Sequence, residues 1–166
     1  MAITIDATVG GSTSNSYVTL AEAVAYFEGR LNTAAWDVLT SDEAKNVALV
    51  SACRRIDQEE FSGVRSSLEQ ALAWPRWGAS ADGIRVDSQE IPQRVKNAQC
   101  ELALFMLQSD LLADTGLEGF ERVKVGPLEV TPRHGRRAGA LPENVRRELA
   151  PFLVTPSSNS IRFMRG

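Results

Sequence analysis

The sequence predicts a mainly α protein: a helical bundle of three main helices and a short C-terminal helix, with a small inserted β-hairpin and an extended C-terminal tail. Three segments place apolar residues at helical spacing, over about residues 19–31, 42–60 and 92–114. The segment 122–132 instead alternates apolar and polar residues around a Gly-Pro turn, which is typical of a hairpin.

The first two helices carry recognisable start signals. Thr19 followed by Glu22 is the capping-box pattern, in which each side chain bonds the other residue's backbone N–H. Ser41 is a good N-cap for the second helix, and Asp42 and Glu43 place negative charge at the positive end of its dipole.

The third helix has the strongest apolar pattern. Pro92 suits a first helical position, and residues 102–107 are all apolar, so we expect protein to surround this part on all sides. The stretch "LPENVRRELAPFL" near the C-terminus predicts the short fourth helix.

We expect one domain with short appendages. Residues 1–16 are small, polar and Gly-rich and predict a flexible N-terminal lead. Residues 17–153 form the predicted helical domain, and residues 154–166 the extended tail. No apolar run is long enough to span a membrane, and the N-terminus lacks the pattern of a signal peptide. Cys53 and Cys100 are expected to be buried free thiols.

Charge is unevenly distributed along the chain. Residues 1–121 hold 9 Lys and Arg against 18 Asp and Glu, whereas residues 122–166 hold 9 Lys and Arg against 3 acidic residues. An acidic body with a basic C-terminal quarter suggests two surfaces with different partners, and self-association between them is one such arrangement.

Signatures of catalysis are missing from the sequence. The single histidine, His134, lies between arginines, and no Cys or His spacing makes a zinc site. The chain also lacks a phosphate-binding glycine loop and a nucleophile elbow. We therefore predict a protein that is not an enzyme and needs no cofactor or metal.

The segment "ALAWPRWG" at residues 71–78 places two tryptophans around a proline. We expect Trp74 and Trp77 to anchor this loop on the core, since burying one indole ring supplies on the order of 3 kcal/mol. Stacking on DNA and contact with another subunit stay open as alternatives.

Four motifs resemble a family of small phage and prophage proteins. They are "NSYVTLAEAVAYFEGR", "ACRRIDQEEFSG", "QALAWPRWG" and "IPQRVKNAQCELALFML", in that order, and the similarity covers roughly residues 14–130. Some members are called DnaT-like single-stranded-DNA-binding proteins. The layout is also similar to head–tail connector (adaptor) proteins of tailed double-stranded DNA phages.

The resemblance to connectors implies a structural virion protein. Such proteins form a homo-oligomeric ring, usually of twelve, beneath the portal, bind the next neck or tail protein, and let DNA pass during ejection without sequence-specific binding. It implies location in the virion neck, and in the host cytoplasm during assembly. The portal would receive tail residues, namely Ile161, Arg162, Phe163, Met164 and Arg165. Neighbouring subunits would meet through basic and hairpin residues, namely Arg122, Lys124, Val125, Leu128, Arg133, Arg136 and Arg137.

An acidic body favours the connector interpretation, because a lumen lined by negative charge lets DNA slide through. It disfavours DNA binding by the body itself, because affinity for nucleic acid comes largely from phosphate contacts. The alternative is a single-stranded-DNA-binding replication protein of a phage. Its contacts would be Arg133, Arg136, Arg137 and Trp77.

Overall fold

The structure, a computed structural model, describes residues 3–108 and 141–154, together with the backbone of two strands between them. The helices are α1 (Leu20–Glu28), α2 (Ala34–Asp37), α3 (Asp42–Ile56), α4 (Gln93–Gln108) and α5 (Glu143–Leu149). The antiparallel strand pairs are β1 (Val64–Arg65) with β2 (Arg76–Trp77), β3 (Ser80–Ala81) with β4 (Ile84–Arg85), and β5 (Val123–Val125) with β6 (Leu128–Val130). The predicted mainly α class is confirmed.

The predicted helices are present but shorter. Helix α1 has the predicted capping box at Thr19, yet it ends at Glu28 because Gly29 caps it and Asn32 turns the chain at a φ of 62°. Leu31, the last residue of the segment predicted as the first helix, is therefore outside α1 and 85% exposed. The end predicted for the third helix lies outside the described residues. The hairpin is confirmed, with Val123 opposite Val130.

Helix α4 is the centre of the bundle. It packs against α1, α2, α3 and α5, which explains why apolar residues surround it rather than forming one stripe. The deepest side chains of the core come from all these elements, and the largest include Tyr17, Leu49, Ile56, Leu102, Leu149 and Phe152. Both cysteines are free and buried, as predicted.

The N-terminal segment differs from the prediction. Residues 6–16, expected to be a flexible lead, pack on the domain instead. Asp6 accepts hydrogen bonds from the Thr8 backbone N–H and the Thr13 hydroxyl, at 3.0 and 2.7 Å, and so closes a tight turn. Gly11 then accepts from the Ala71 N–H at 3.0 Å. The polar residues thus satisfy each other locally, which a composition rule for flexibility does not detect.

The Trp-Pro segment is irregular rather than helical. It consists of bends around a cis Trp74–Pro75 peptide bond. Trp74 is 1% exposed and meets Phe61 and Phe152 edge to face, with centroids 5.7 and 5.2 Å away.

Trp77 corrects the expectation that both tryptophans anchor the core. It is 59% exposed, because β2 pairs with a surface strand and turns this side chain away from the bundle. In residues 3–108 and 141–154, no helix combines the length and apolar character needed to cross a bilayer.

Candidate nucleic-acid interface

Residues 61–91 form two short antiparallel ribbons on the surface of the bundle. In the first ribbon Val64 lies opposite Trp77, and in the second Ser80 lies opposite Arg85. The hydroxyl of Ser66 donates to the Ser88 carbonyl at 2.6 Å and ties the two ribbons together. We call this paired structure the ribbon surface.

Local sequence explains both ribbons. Asp82 and Gly83 both have positive φ, 53° and 82°, and so make the tight hairpin turn between β3 and β4. Gly63, at a φ of 73°, lets the chain pass close to β2. A Cβ there would lie 2.5 Å from the Trp77 carbonyl oxygen, so only glycine fits.

Arg76 clamps the first ribbon from within. Its guanidinium donates to the backbone carbonyls of Ser62, Ala73, Phe61 and Gly63, at 2.8, 3.1, 3.1 and 2.7 Å. Burial lowers the pKa of this group, and the nearby charge of a second arginine lowers it further. All of these bonds go to the protein's own backbone, so Arg76 serves the structure of the loop.

A half-buried carboxylate fixes the loop to the helices. Asp57, the C-cap of α3, accepts hydrogen bonds from the Ala73 backbone N–H at 2.8 Å and from the Tyr17 hydroxyl. Burial raises the pKa of Tyr17, and the Asp57 charge raises it further, so the phenol stays protonated as a donor. Asp57 therefore joins the loop that carries the ribbon surface to the end of α3 and to Tyr17.

Trp77 and Arg85 form the exposed feature of this surface. The guanidinium carbon of Arg85 lies 5.7 Å from the centroid of a Trp77 ring that is 59% exposed. Beside them is an open cleft of about 390 Å3, lined also by Gly78, Val86, Asp87 and Ser88. A flat aromatic ring beside a cation is an arrangement on which a nucleobase can stack while its phosphate meets the guanidinium.

The electrostatic setting is mixed. Arg65 is exposed on β1, next to the residue that faces Trp77, and adds a second cation to the ribbon surface. Asp87 in the cleft opposes both. Residues 3–108 and 141–154 together carry 11 Lys and Arg against 16 Asp and Glu, so cationic character here is local.

Most of the site residues predicted from sequence lie outside the described residues. This holds for the tail set Ile161, Arg162, Phe163, Met164 and Arg165, and for Arg122, Arg133, Arg136 and Arg137 of the interface set. Lys124 and Val125 lie on β5 and Leu128 on β6, with Val125 opposite Leu128. Of all these candidates, the structure places only Trp77 on a defined surface.

Sequence reasoning missed Arg85 and Arg65. For Arg85 the signal was the Asp82-Gly83 turn, since a two-residue hairpin turn fixes which residues face each other and brings position 85 back beside position 80. Arg65 lies on β1, whose pairing with β2 spans a longer loop and leaves no such local signal. Within the described part of the chain, His, Cys, Asp and Glu residues form no group suited to a metal ion.

Fold and surface define a small helical domain that presents an aromatic ring and two arginines on a rigid loop. The chain belongs to the family described as "Putative DnaT-like ssDNA binding protein", whose model matches residues 1–166. No curated protein and no solved structure matches the chain.

Proposed function

We propose that this protein binds single-stranded DNA through the ribbon surface. One observation carries the proposal: Trp77 is an exposed indole whose ring lies beside the guanidinium of Arg85 at an open cleft. The family description supports the same class of ligand. A base would stack on Trp77, and Arg85 and Arg65 would contact the neighbouring phosphates.

The charge of the body sets the expected strength. Stacking of one base on an aromatic side chain is worth about 1–3 kcal/mol. Two phosphate contacts would give a salt dependence with a slope of about −1.4 in a plot of log affinity against log salt concentration. Repulsion from the acidic body weakens binding further, so one subunit is expected to bind DNA weakly and several subunits on one strand to bind it firmly.

Fluorescence anisotropy with a labelled oligothymidine at low salt tests the proposal. Trp77→Ala should abolish most of the binding, whereas Trp77→Phe should keep part of it because a ring remains. Leu68→Ala is the matched control and should bind as the wild type does, since Leu68 is fully exposed on the same loop and is not one of the proposed DNA contacts. Equal affinity for the wild type and Trp77→Ala, or no binding by the wild type at low salt, would rule out this site.

The second candidate function is a head-to-tail connector of a tailed phage. The charge distribution favours it, because residues 1–121 are acidic while residues 122–166 are basic. In this proposal the protein forms a ring, usually of twelve, in the virion neck, binds the portal through residues 161–165, and contacts the downstream neck protein. DNA passes through the lumen, and neither candidate function involves a reaction or a cofactor.

Two experiments separate the candidates. Removing residues 155–166 should abolish attachment to a portal ring in a pull-down if the protein is a connector, and should leave DNA binding by the ribbon surface unchanged. Immunogold labelling of purified virions should mark the neck for a connector and leave particles unlabelled for a replication protein.

A further inference from the structure

A second surface, distant in sequence from the ribbons, has the character of a docking groove. It lies between α1, α2 and the start of α3, has a volume of about 370 Å3, and is lined by Val24, Phe27, Glu28, Thr33, Trp36 and Asp37 among others. The rings of Phe27 and Trp36, with centroids 4.3 Å apart, form its apolar floor. We call it the α1–α2 groove.

Exposed apolar residues adjoin this groove in the chain. Leu31 follows the lining residue Arg30 and is 85% exposed, and Val38 follows the lining residue Asp37 and is 72% exposed. Covering large aliphatic side chains at this exposure removes apolar surface from water, which stabilises the complex with the partner. The groove therefore favours an occupant with apolar side chains of its own.

The charge around the groove is negative. The stretch 28–45 carries four carboxylates, on Glu28, Asp37, Asp42 and Glu43, against two cations. One of these cations, Arg30, already pairs with Glu101, and the other, Lys45, lies 5.5 Å from the Trp36 ring centroid. An occupant with positive charges between its apolar residues fits this pattern.

We infer that the α1–α2 groove receives the C-terminal segment 155–166 of a second copy of this chain. That segment combines the two required characters, with apolar Ile161, Phe163 and Met164 among Arg162 and Arg165. In an extended peptide every second side chain shares a face, so Ile161 and Phe163 would lie on the groove while Arg162 points toward the rim. The ribbon surface is a poorer acceptor, because its own arginines repel a basic peptide.

The point at which the segment leaves the domain favours exchange between copies. The Val154 N–H donates to the Glu60 carbonyl at 2.9 Å, just beyond the C-terminal end of α3. The groove lies at the opposite end of α3, where Lys45 lines it. Helix α3 has 15 residues and is about 22 Å long, so a segment of the same copy would have to run along its whole length to reach the groove. A segment from another copy does not have to.

Such a contact joins two different surfaces and is therefore heterologous. A pair joined in this way keeps one free groove and one free segment, so association continues into a ring or an open chain. This inference does not depend on DNA binding. It assigns residues 161–165 to a neighbouring copy, and so competes with the portal attachment of the connector candidate for the same residues.

Sedimentation velocity of the full chain over a range of concentrations tests the inference. The wild type should associate beyond a dimer, and Phe163→Ser or Glu28→Arg should each weaken association by about tenfold or more. Glu69→Arg, the same charge change at an exposed position on the ribbon loop, is the matched control and should behave as the wild type. Circular dichroism checks that each variant is folded. Leu31→Lys is a second groove variant at an exposed position, and it should also weaken association because it removes an apolar side chain and adds a positive charge.

Mixing provides the sharper test. Phe163→Ser keeps its groove and Glu28→Arg keeps its tail, so an equimolar mixture should form heterodimers that grow no further. Arg162→Glu combined with Glu28→Arg in one chain should recover part of the association lost by either change. A wild type that is monomeric at all concentrations, tail variants that associate as the wild type does, or a mixture without heterodimers would each overturn the inference. Loss of DNA binding with association intact would overturn only the DNA proposal.

Discussion

The side-chain carbonyl oxygen of Gln99 accepts a hydrogen bond from the backbone N–H of Tyr17, 82 residues earlier in the chain, at 2.9 Å. The amide nitrogen of the same side chain donates to the Ser16 hydroxyl at 2.8 Å and to the Leu49 carbonyl at 2.9 Å. Gln99 is completely buried. One polar side chain thus joins the N-terminal segment, α3 and α4 at the centre of the domain.

Replacement of Gln99 by leucine should therefore be costly. The apolar side chain fits the volume, but it leaves the buried Tyr17 N–H without its acceptor and removes one hydrogen bond each from the Ser16 hydroxyl and the Leu49 carbonyl. A buried polar group left unpaired costs about 1–3 kcal/mol. We expect a loss of about 3 kcal/mol or more in the free energy of unfolding, measured by urea denaturation. Gln93→Leu, in the exposed first turn of the same helix, is the control and should change stability little. A Gln99→Leu protein as stable as the control would show that this network is not what holds the segment.

The buried network explains why sequence analysis predicted the helices but not the fate of residues 6–16. Helical spacing and caps are local, so Thr19 and Ser41 could be identified as helix starts from their neighbours alone. A single glutamine that orders a distant polar segment leaves no periodic signal. The composition of that segment resembles a linker because Ser, Thr, Asn and Gly serve equally well in flexible chains and in tight hydrogen-bonded turns.

For a similar reason, the sequence pointed to Trp77 of the candidate site but not to Arg85. The "WPRWG" motif drew attention to Trp77, but its exposure depends on which neighbour each residue of the loop meets. Arg76 and Arg85 look alike in the sequence, yet four backbone carbonyls surround the first and the second lies beside an indole. Only the three-dimensional course of the loop separates a structural arginine from one available to a ligand.

Glu101 links α1, α4 and α5 and should govern stability in acid. Its carboxylate accepts hydrogen bonds from Arg30, from the Tyr26 hydroxyl at 2.8 Å and from the Asn144 amide at 2.6 Å. Burial alone would raise the pKa of Glu101, but the bonds from Arg30 and Tyr26 outweigh it and the pKa is lowered from its usual 4.5. A lowered pKa in the folded state means that this stabilisation is present above pH 4.5 and is lost as the pH falls through the folded-state value.

Glu101→Gln should cost about 2 kcal/mol near neutral pH, because it weakens the pairing of Arg30. It should also flatten the acid limb of stability against pH, measured by thermal melts from neutral pH downward. Glu148→Gln removes a partly exposed partner 4.0 Å from Arg94, and should cost no more than about 0.5 kcal/mol. An acid limb unchanged by Glu101→Gln would contradict the assignment.

The two buried thiols should limit stability in alkali. Burial raises the pKa of Cys53 and of Cys100 from 9.0 to about 12, and neighbouring carboxylates add to the effect. A raised pKa in the folded state means full stability below pH 9.0 and a loss above it, since the unfolded chain ionises first. Each thiol contributes a slope of about 1.4 kcal/mol per pH unit once its unfolded form is ionised.

Denaturation at a series of alkaline pH values checks this slope. The double variant Cys53→Ala with Cys100→Ala should be less stable at neutral pH, because it leaves small cavities, but should lose less stability on going to alkali. Tyr17, whose pKa burial also raises, should account for part of the remaining loss at higher pH. Parallel curves for the wild type and the double variant would show that the thiols are not responsible.

Gly63 should be irreplaceable, whereas Gly78 should tolerate alanine at a modest cost. Both have positive φ, 73° and 80°, but a Cβ at Gly63 would meet the Trp77 carbonyl at 2.5 Å, and one at Gly78 meets nothing within 4 Å. Gly78→Ala should cost about 1 kcal/mol from backbone strain alone. Gly63→Ala adds a steric clash and should loosen the ribbons, which urea denaturation and hydrogen exchange at Ser66 and Val86 can follow. Equal costs for the two variants would contradict the close approach.

Arg76 and Arg85 should respond oppositely in stability and in binding. Arg76→Ala leaves the carbonyls of Ser62 and Gly63 without their guanidinium donor, so it should destabilise the fold by about 2–3 kcal/mol. Arg85 is exposed and contacts Trp77 only through a cation–π interaction worth about 0.5–1 kcal/mol. Arg85→Ala should therefore leave the melting temperature nearly unchanged while weakening oligothymidine binding and reducing the magnitude of its salt slope by about 0.7.

Arg85→Lys should restore the salt slope, because it keeps the charge, but only part of the affinity, because an ammonium does not stack. If Arg85→Ala binds DNA as the wild type does, the phosphate contact belongs elsewhere, and Arg65→Ala is the next variant to compare at the same salt concentrations.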